Sequence, residues 1–446
     1  MMKILFVSLG CDKNLVDSEA MLGLLAEKGY GFTDDESQAD IIVVNTCCFI
    51  GDAKEESVNT ILEMAEWKKE GRLKGLIVTG CLAERYQDEI LEEIPEVDAV
   101  VGTASYDRIV EVIGQAAAGE KKLLCGNIDR LVMTKAGRIL TTGGHYAHLK
   151  IAEGCDKHCT YCIIPKLRGR YRSFPMEELL REAQELADQG VKELILVAQE
   201  TTMYGVDLYG EKKLHELLKG LCRIKGLRWI RVQYCYPEEI YEELIRTIKE
   251  EPKICHYLDL PIQHASDRIL KRMGRRTTKQ DLKEIVRKLR EEIPDICLRT
   301  TLITGFPGET EEEHEELMDF VDEMEFDRLG VFSYSPEEDT PAACMEGQIP
   351  DGVKEARREE LMELQQDISF EKAEAMTGKE LWCMVEGRLT DEYAYVARTY
   401  KDAPGVDGYI FIQTMVELMS GDFVKVHVTG ADEYDLIGEI ADEFTE

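Results

Sequence analysis

Three cysteines lie close together in the middle of the chain, at Cys155, Cys159 and Cys162, with the spacing C-x3-C-x2-C. At this spacing each thiolate can bind one iron atom of a cubane iron–sulfur cluster. Because three ligands leave the fourth iron open, this set, the compact triad, favours a reactive cluster over a structural one. The alternative is zinc with His158 as the fourth ligand, but its place between two of the cysteines makes a closed tetrahedron awkward.

Three further cysteines are far apart in sequence, but each follows a run rich in β-forming residues. This dispersed triad consists of Cys11 after Ile4–Ser8, Cys47 after Ile41–Asn45, and Cys81 after Leu76–Thr79. In a parallel sheet the strand ends converge on one crevice, where α/β proteins bind ligands. The pattern therefore predicts a second cluster site, and the alternative is that single members are core residues. We choose Cys47 over its neighbour Cys48 as the ligand, and any cluster role of Cys48 stays open.

These cysteines are positioned by three regions, with boundaries predicted at 1–140, 141–373 and 374–446. Residues 1–140 alternate β-rich runs with helical patterns, which predicts a Rossmann-like parallel α/β domain. The alternation continues through 141–373 and predicts a partial TIM barrel, with function at the carboxyl ends of its strands. We expect its strands at His148–Ala152, Glu193–Ala198, Trp229–Tyr234, Tyr257–Leu260, Cys297–Ile303 and Leu329–Tyr334.

The last region, 374–446, is predicted to be a small closed all-β barrel of about five strands. Its short β-rich runs are Glu380–Val385, Tyr393–Ala397, Tyr409–Gln413 and Asp422–Val428, and glycines punctuate them. The compact triad follows the first strand of the central region, so its loop is expected at the functional face of that barrel.

Composition limits the class of protein. The chain has no run of about 18 apolar residues and no signal peptide at its start, so we expect a cytoplasmic protein without a membrane contact. In that compartment its 14 cysteines are not expected to form disulfides. The cysteines outside the two triads and Cys48 show no ligand spacing and are expected to be packing residues: Cys125, Cys222, Cys235, Cys255, Cys297, Cys344 and Cys383.

The net charge of -34 argues against phosphate-backbone binding as the main source of affinity. It indicates a basic partner, while the alternative is that the acidity serves solubility alone. Residues 374–446 carry sixteen acidic and five basic side chains, so the last barrel lacks the basic surplus expected of a nucleic-acid module.

The compact triad, with Tyr161 directly before its third cysteine, resembles the radical S-adenosylmethionine superfamily. Together with Ser8–Asn14, Asn45–Cys47 and Thr79–Cys81 it resembles the methylthiotransferase family over essentially the whole chain. The resemblance implies an N-terminal cluster domain, a radical S-adenosylmethionine barrel and a C-terminal barrel called TRAM. It also implies two 4Fe–4S clusters.

By this resemblance the compact triad holds the cluster whose open iron binds S-adenosylmethionine, which is cleaved to a 5′-deoxyadenosyl radical. The dispersed triad holds the auxiliary cluster that carries the sulfur to be transferred. One S-adenosylmethionine donates the methyl group and a second one is the radical source. A barrel lumen suits such a radical because it excludes water and side reactants.

The family has two branches, one acting on an adenosine of tRNA and the other on the β-carbon of an aspartate in small-subunit ribosomal protein twelve. Local segments resemble the second branch: Pro261–His264, Ala397–Tyr400, Asp402–Pro404, Asp407–Gly408 and Gly430–Leu436. The acidic last barrel agrees, since it suits a Lys/Arg-rich protein, free or in the ribosomal subunit. The predicted partners are that protein and an electron donor such as flavodoxin or ferredoxin. The tRNA enzyme is the alternative, and a non-enzymatic iron–sulfur sensor or electron carrier is the alternative of another class.

A few residues with weaker sequence signals are candidates for contact with S-adenosylmethionine or with the substrate. Gln199 and Glu200 end the second barrel strand and are candidates for contact with the amino group of S-adenosylmethionine, the alternative being a solvated loop pair. Gly305 and Gly308 end the fifth strand, where glycines allow close approach to a ligand, and the resemblance implies a site near the adenine. A plain strand-to-helix turn is the alternative there. His264 is a candidate for substrate contact, although a structural histidine is the commoner case.

Overall fold

The first domain is a parallel α/β layer. The computed structural model describes residues 2–134, 136–389 and 393–441. The strands of this domain are β1 (Lys3–Ser8), β2 (Gly31–Phe32), β3 (Ile41–Thr46), β4 (Gly75–Gly80), β5 (Ala99–Val101) and β6 (Lys122–Leu124). Its helices are α1 (Asp12–Glu27), α2 (Gly51–Lys69), α3 (Cys81–Glu93) and α4 (Ile109–Ala117).

All neighbouring strands of this sheet are parallel, in the order β2-β1-β3-β4-β5-β6. The apolar runs of β3 and β4 are buried along their whole length, as is typical of a central parallel strand covered by helices on both faces. The strand order reverses between β1 and β3, because β2 lies on one side of β1 and the later strands lie on the other. The crevice outside the carboxyl ends at such a point is where doubly wound folds bind ligands.

The central domain is the predicted partial barrel. Its strands are β7 (Tyr146–Lys150), β8 (Ala152–Glu153), β9 (Arg172–Ser173), β10 (Glu193–Val197), β11 (Trp229–Val232), β12 (Ile254–Asp259), β13 (Cys297–Thr304) and β14 (Arg328–Ser333). Its helices are α5 (Ile164–Arg168), α6 (Met176–Asp188), α7 (Val206–Tyr209), α8 (Leu214–Cys222), α9 (Glu242–Glu250), α10 (Asp267–Arg272), α11 (Lys279–Glu292), α12 (Glu311–Met324) and α13 (Asp351–Glu374).

Parallel pairing in the order β14-β13-β12-β11-β10-β7 leaves β7 and β14 as the two edges of the barrel wall. Helices cover its outer face, where a large apolar core lies between the strands and α6, α8, α9, α11 and α12. Local sequence fixes where two of these helices begin, because Thr278 with Asp281 and Thr310 with Glu313 form capping boxes.

The C-terminal domain is a closed β-barrel, as predicted. Its strands β15 (Glu380–Arg388), β16 (Ala394–Thr399), β17 (Ile410–Gln413), β18 (Phe423–Asp432) and β19 (Asp435–Ile440) pair in the order β15-β16-β17-β19-β18 and close on β15. Within the described ranges, no helix is long and apolar enough to cross a membrane.

The C-terminal barrel docks on the base of the central barrel, where the strands begin. Glu193, the first residue of β10, accepts hydrogen bonds from Arg231 of β11 and Arg398 of β16, each at 2.8 Å. All three side chains are fully buried. The loop after β16 continues this contact, since Arg328 pairs with Asp402 at 2.5 Å. The loop thereby fills the base of the barrel.

Candidate active site

The dispersed triad lies at the crevice that the sheet topology predicts. Cys11 follows β1 and precedes α1, Cys47 follows β3, and Cys81 is the first residue of α3 directly after β4. Gly10 (φ +88°) brings two of them together, because a β-carbon there would lie 2.7 Å from the Cβ of Cys47. Only glycine fits both this φ angle and this approach.

Cys81, the third member of the dispersed triad, lies at the same crevice and contacts α1 there. The Cys81 thiol lies 3.8 Å from the Oδ1 atom of Asn14, in the first turn of α1. Asn45 of β3 donates to the Asn14 carbonyl at 2.9 Å and so ties the helix to the strand end. Cys48 packs in the apolar core behind the sheet, as Cys81 also does. Gly10 lies against Cys47, and the choice of Cys47 over Cys48 as a ligand stays a prediction.

The compact triad lies on the loop that leaves β8. The Cys155 amide donates to the Gly169 carbonyl at 3.1 Å, and the Cys162 amide donates to the Cys159 carbonyl at 3.1 Å. These bonds fold the loop back on itself. The Cys159 thiol lies 3.6 Å from the Tyr236 hydroxyl, beyond the end of β11, so the triad lies at the barrel mouth.

Burial makes these thiols poor acids when no metal is bound. Desolvation raises the pKa of Cys155 to about 12, and it also raises the pKa of Cys47, Cys81 and Cys162 above the usual range. Nearby thiols raise these pKa values further, since Cys159 acts on Cys155 and Cys47 acts on Cys81. Clustered, buried thiols of this kind match a metal cluster, whose positive irons stabilise the thiolate form.

A single metal ion is a different case. Among the described residues, no three Cys, His, Asp or Glu side chains converge on a point that could hold one.

Glu200 is a buried carboxylate at the barrel mouth, and one of its two oxygens has no hydrogen-bond partner. Its Oε1 atom accepts the Thr202 amide at 2.9 Å, while its Oε2 atom is buried without a hydrogen-bond partner. Desolvation raises the pKa of Glu200 to about 7. Gln199 donates to Glu153 at 2.9 Å, and its own Oε1 atom is also buried and unpaired. Two unsatisfied acceptors at one strand end fit a ligand that donates hydrogen bonds, such as the amino group of S-adenosylmethionine.

The two glycines at the end of β13 have neighbours within the protein. Gly305 (φ +68°) lies against the side chain of Lys354 on α13, and Gly308 (φ +79°) lies against Gly347 and the Arg272 guanidinium. Close packing within the protein therefore accounts for a glycine at both positions. Their contact with S-adenosylmethionine stays a prediction. His264 is fully buried, accepts the Ser266 amide at 3.0 Å, and lies 3.6 Å from Glu309. Its Nε2 atom is buried without a hydrogen-bond partner, so a contact of His264 with the substrate stays a prediction.

A buried network of ion pairs extends from the dispersed triad into the central barrel, and the sequence did not reveal it. Arg168 donates to Asp17 of α1 at 2.7 Å and to Glu153 at 3.2 Å, and it also donates to Asn14 beside Cys81. Lys150, the last residue of β7, pairs with the same two carboxylates. Glu153 in turn accepts from Gln199, so the network runs from the dispersed triad to the second barrel strand. Asp17 and Glu19, which lie among the apolar residues of α1, were the signal that could have pointed to it.

Three family models match successive parts of the chain. The uncharacterized protein family UPF0004 matches residues 3–102, the radical SAM superfamily matches residues 149–321, and the TRAM domain matches residues 377–441. The first match contains the dispersed triad and the second contains the compact triad.

Curated relatives cover nearly the whole chain. The ribosomal protein uS12 methylthiotransferase RimO of Lachnoclostridium phytofermentans is 67% identical over 437 residues, covering 98% of this chain and 99% of that protein. The protein of the same name from a Thermoanaerobacter species is 51% identical, covering 97% of this chain and 98% of that protein.

Among solved structures, the radical S-adenosylmethionine methyltransferase TsrM from Kitasatospora setae, with cobalamin and a 4Fe–4S cluster bound, has a TM-score of 0.56 at 15% identity. The match covers 77% of this chain and 74% of that one, and at this identity it shows the fold alone. The full-length relatives show more than the fold. The chain belongs to the ribosomal protein uS12 methylthiotransferase family, within the radical S-adenosylmethionine superfamily.

Proposed function

We propose that the chain methylthiolates the β-carbon of an aspartate in ribosomal protein uS12, consuming two molecules of S-adenosylmethionine. The observation that carries this proposal is the 67% identity over 98% of the chain to a relative named for that activity. The site geometry supports it, because both triads lie where the first domain meets the barrel mouth.

In this proposal Cys155, Cys159 and Cys162 hold one 4Fe–4S cluster, and Cys11, Cys47 and Cys81 hold the other. When bound, these clusters and S-adenosylmethionine supply the one-electron chemistry, the methyl group and the sulfur. The chain itself orients the reactants and excludes water. The first domain closes over the barrel mouth through pairs such as Arg85 with Glu337, which are 2.8 Å apart and buried. Exclusion of water protects a reactive intermediate from side reactions.

Glu200 is expected to accept a hydrogen bond from the amino group of S-adenosylmethionine through its unpaired Oε2 atom. Because burial raises its pKa to about 7, the carboxyl group is neutral below that pH and loses this interaction. The affinity for S-adenosylmethionine should therefore fall about tenfold between pH 8 and pH 6. Calorimetric titration of the reconstituted protein at the two pH values measures this. Glu200→Gln should bind more weakly at pH 8 and show a flat pH profile, and a variant that keeps the wild-type slope would contradict the role.

We place the domain boundaries at 1–140, 141–373 and 374–446, which contain the three family matches. The protein acts in the cytoplasm, where ribosomal proteins are, and receives electrons from a donor of the flavodoxin or ferredoxin class. The acidic C-terminal barrel contacts uS12, with Asp402 and Asp407 excluded from that contact because both are buried against the central barrel.

Mass analysis of uS12 and of tRNA from cells lacking this protein tests the proposal. The methylthio group should disappear from the uS12 aspartate while tRNA adenosines keep theirs. Loss from tRNA alone would assign the chain to the other branch. Release of 5′-deoxyadenosine by the reduced, reconstituted protein separates both enzymes from an iron–sulfur sensor or electron carrier, which would release none.

A further inference from the structure

Four side chains meet beside Cys11 at the junction of the first domain and the barrel mouth. This mouth group consists of Asp12, Lys13, His148 and Tyr234. The Tyr234 hydroxyl donates to Asp12 at 3.3 Å, and the His148 Nε2 atom lies 3.5 Å from the other oxygen of Asp12. The Lys13 ammonium lies 3.3 Å from the centroid of the Tyr234 ring. The group therefore joins α1 to β7 and to the end of β11.

Lys13 is unusual within this group because it is a buried cation that forms no direct ion pair, although the nearby Tyr234, Cys11 and Asp12 raise its pKa against the opposing effect of burial. Its side chain belongs to a residue that is only 7% exposed. Among the described residues, no Asp or Glu oxygen lies within 4.0 Å of its ammonium group. Lys150, buried at the same junction, pairs with both Asp17 and Glu153. Buried lysines are almost always paired in this way, so the Lys13 ammonium can form a direct ion pair that no described carboxylate makes with it.

Two further observations indicate a binding site rather than simple packing. Tyr234 adopts φ +59°, a left-handed conformation that costs energy for a residue with a side chain. Such strain is retained where the surroundings fix a side chain for a purpose, and here it holds the ring against Lys13. In addition, the Nδ1 atom of His148 is buried without a hydrogen-bond partner. The mouth group thus offers an unpaired cation and an unpaired polar atom next to Cys11.

We propose that the Lys13 ammonium binds the side-chain carboxylate of the substrate aspartate, and that the mouth group is the specificity site for that carboxylate. This inference rests on the proposed function. The reacting carbon is bonded directly to the carboxylate carbon, so fixing the carboxylate orients the C–H bonds to be attacked. Lys13 is two residues from Cys11, so an aspartate held there lies beside the dispersed triad. A charge-assisted bond of this kind separates aspartate from asparagine.

The competing explanation is that Lys13 only balances the negative charge of the cysteine thiolates. The two roles of Lys13 predict different effects on the choice between an aspartate and an asparagine in the substrate. A charge-balancing lysine affects the reduction potential of the auxiliary cluster and leaves the choice between aspartate and asparagine unchanged. A carboxylate-binding lysine controls that choice directly.

The test measures binding rather than turnover, using the anaerobically reconstituted protein with both clusters. The probes are purified uS12 and uS12 with its target aspartate replaced by asparagine. Wild-type protein should prefer the aspartate form by about 10- to 100-fold, the range for a hydrogen bond to a charged group. Lys13→Met should bind the two forms within about twofold of each other. Lys13→Arg, which keeps the charge, should retain a preference.

Lys28→Met is the matched control, because Lys28 is exposed at the opposite end of α1 and should keep the wild-type preference. Iron content is measured for each variant, and Lys13→Gln is run in parallel so that the comparison stands if one substitution costs a cluster. A Lys13→Met protein that still prefers the aspartate form by the wild-type factor would overturn the inference. So would a wild-type protein without any preference. Absence of uS12 binding by the wild-type protein would instead count against the proposed function.

Discussion

Cys155→Ala is expected to retain about half of the iron and sulfide of the reconstituted protein and to release no 5′-deoxyadenosine. The reason is geometric, since the other two members of the compact triad cannot hold a cubane at a site whose third thiol is missing. Cys47→Ala should also retain about half of the iron, but it should still cleave S-adenosylmethionine, because its loss concerns the dispersed triad. It should not form the methylthio product.

Cys344→Ala is the matched control for both variants. Cys344 is an exposed cysteine outside the two triads, so its removal should leave the iron content and S-adenosylmethionine cleavage unchanged. Iron and sulfide analysis, together with chromatography of the reaction products, measures all of these outcomes. If Cys155→Ala kept the full iron content, or if Cys47→Ala lost both clusters together, the assignment of two separate triads would be wrong.

Glu193→Gln is expected to lower the free energy of unfolding by about 3–5 kcal/mol, the cost of breaking a buried ion pair. Glu193 lies between Arg231 and Arg398, and none of the three side chains has any solvent exposure. A neutral residue there leaves the buried Arg231 guanidinium without an anion, and Arg398 keeps only its ion pair with Glu386 at 2.6 Å. Denaturant unfolding should report the loss, and hydrogen exchange should report earlier opening of residues 399–408. Glu66→Gln, at an exposed pair with Lys69, should cost less than about 1 kcal/mol.

The same site predicts a pH dependence of stability. Burial would raise the pKa of Glu193, but Arg398 and Arg231 outweigh it and hold that pKa below the usual value. A carboxyl group with a depressed folded-state pKa contributes stability above its unfolded pKa, and that contribution is lost as the pH falls through the folded value. Acid should therefore loosen the docked C-terminal barrel in the wild-type protein. In Glu193→Gln this component should be absent, and an unchanged acid profile would contradict the assignment.

The sequence predicted the architecture because each region has a strong local pattern. The runs before Cys11, Cys47 and Cys81 are apolar and β-rich, and they form β1, β3 and β4. Weaker patterns were missed. The edge strand β6 has only three residues, which is too short for a clear β-rich run. In the final strand β19, Gly438 and acidic residues stand between the apolar residues, so the sequence shows no clear β-rich run there.

Features that depend on docking could not be predicted at all. Glu193 and Arg398 are separated by 205 residues, and nothing local connects them. Asp402 and Asp407 were part of the acidic charge expected to face a basic partner, yet the structure uses both in buried contacts with the central barrel. Gly305 was predicted as a position for ligand approach, and its close neighbour in the structure is Lys354 of α13. A pattern of charges or glycines in the sequence does not show whether the residue contacts a ligand or another part of the same chain.

The loop after β16 makes the C-terminal barrel inseparable from the domain before it. Its Tyr400 and Ala403 pack with Trp229, Tyr257 and other residues at the base of the central barrel. A chain shortened before β15 would expose these aromatic rings to solvent. It would also leave the ion pair of Arg231 with Glu193 without the cover that the C-terminal barrel provides. A chimaera that takes its last domain from a relative would therefore need residues 399–408 and their partners exchanged as one unit. Exchange of the domain alone should yield an insoluble protein.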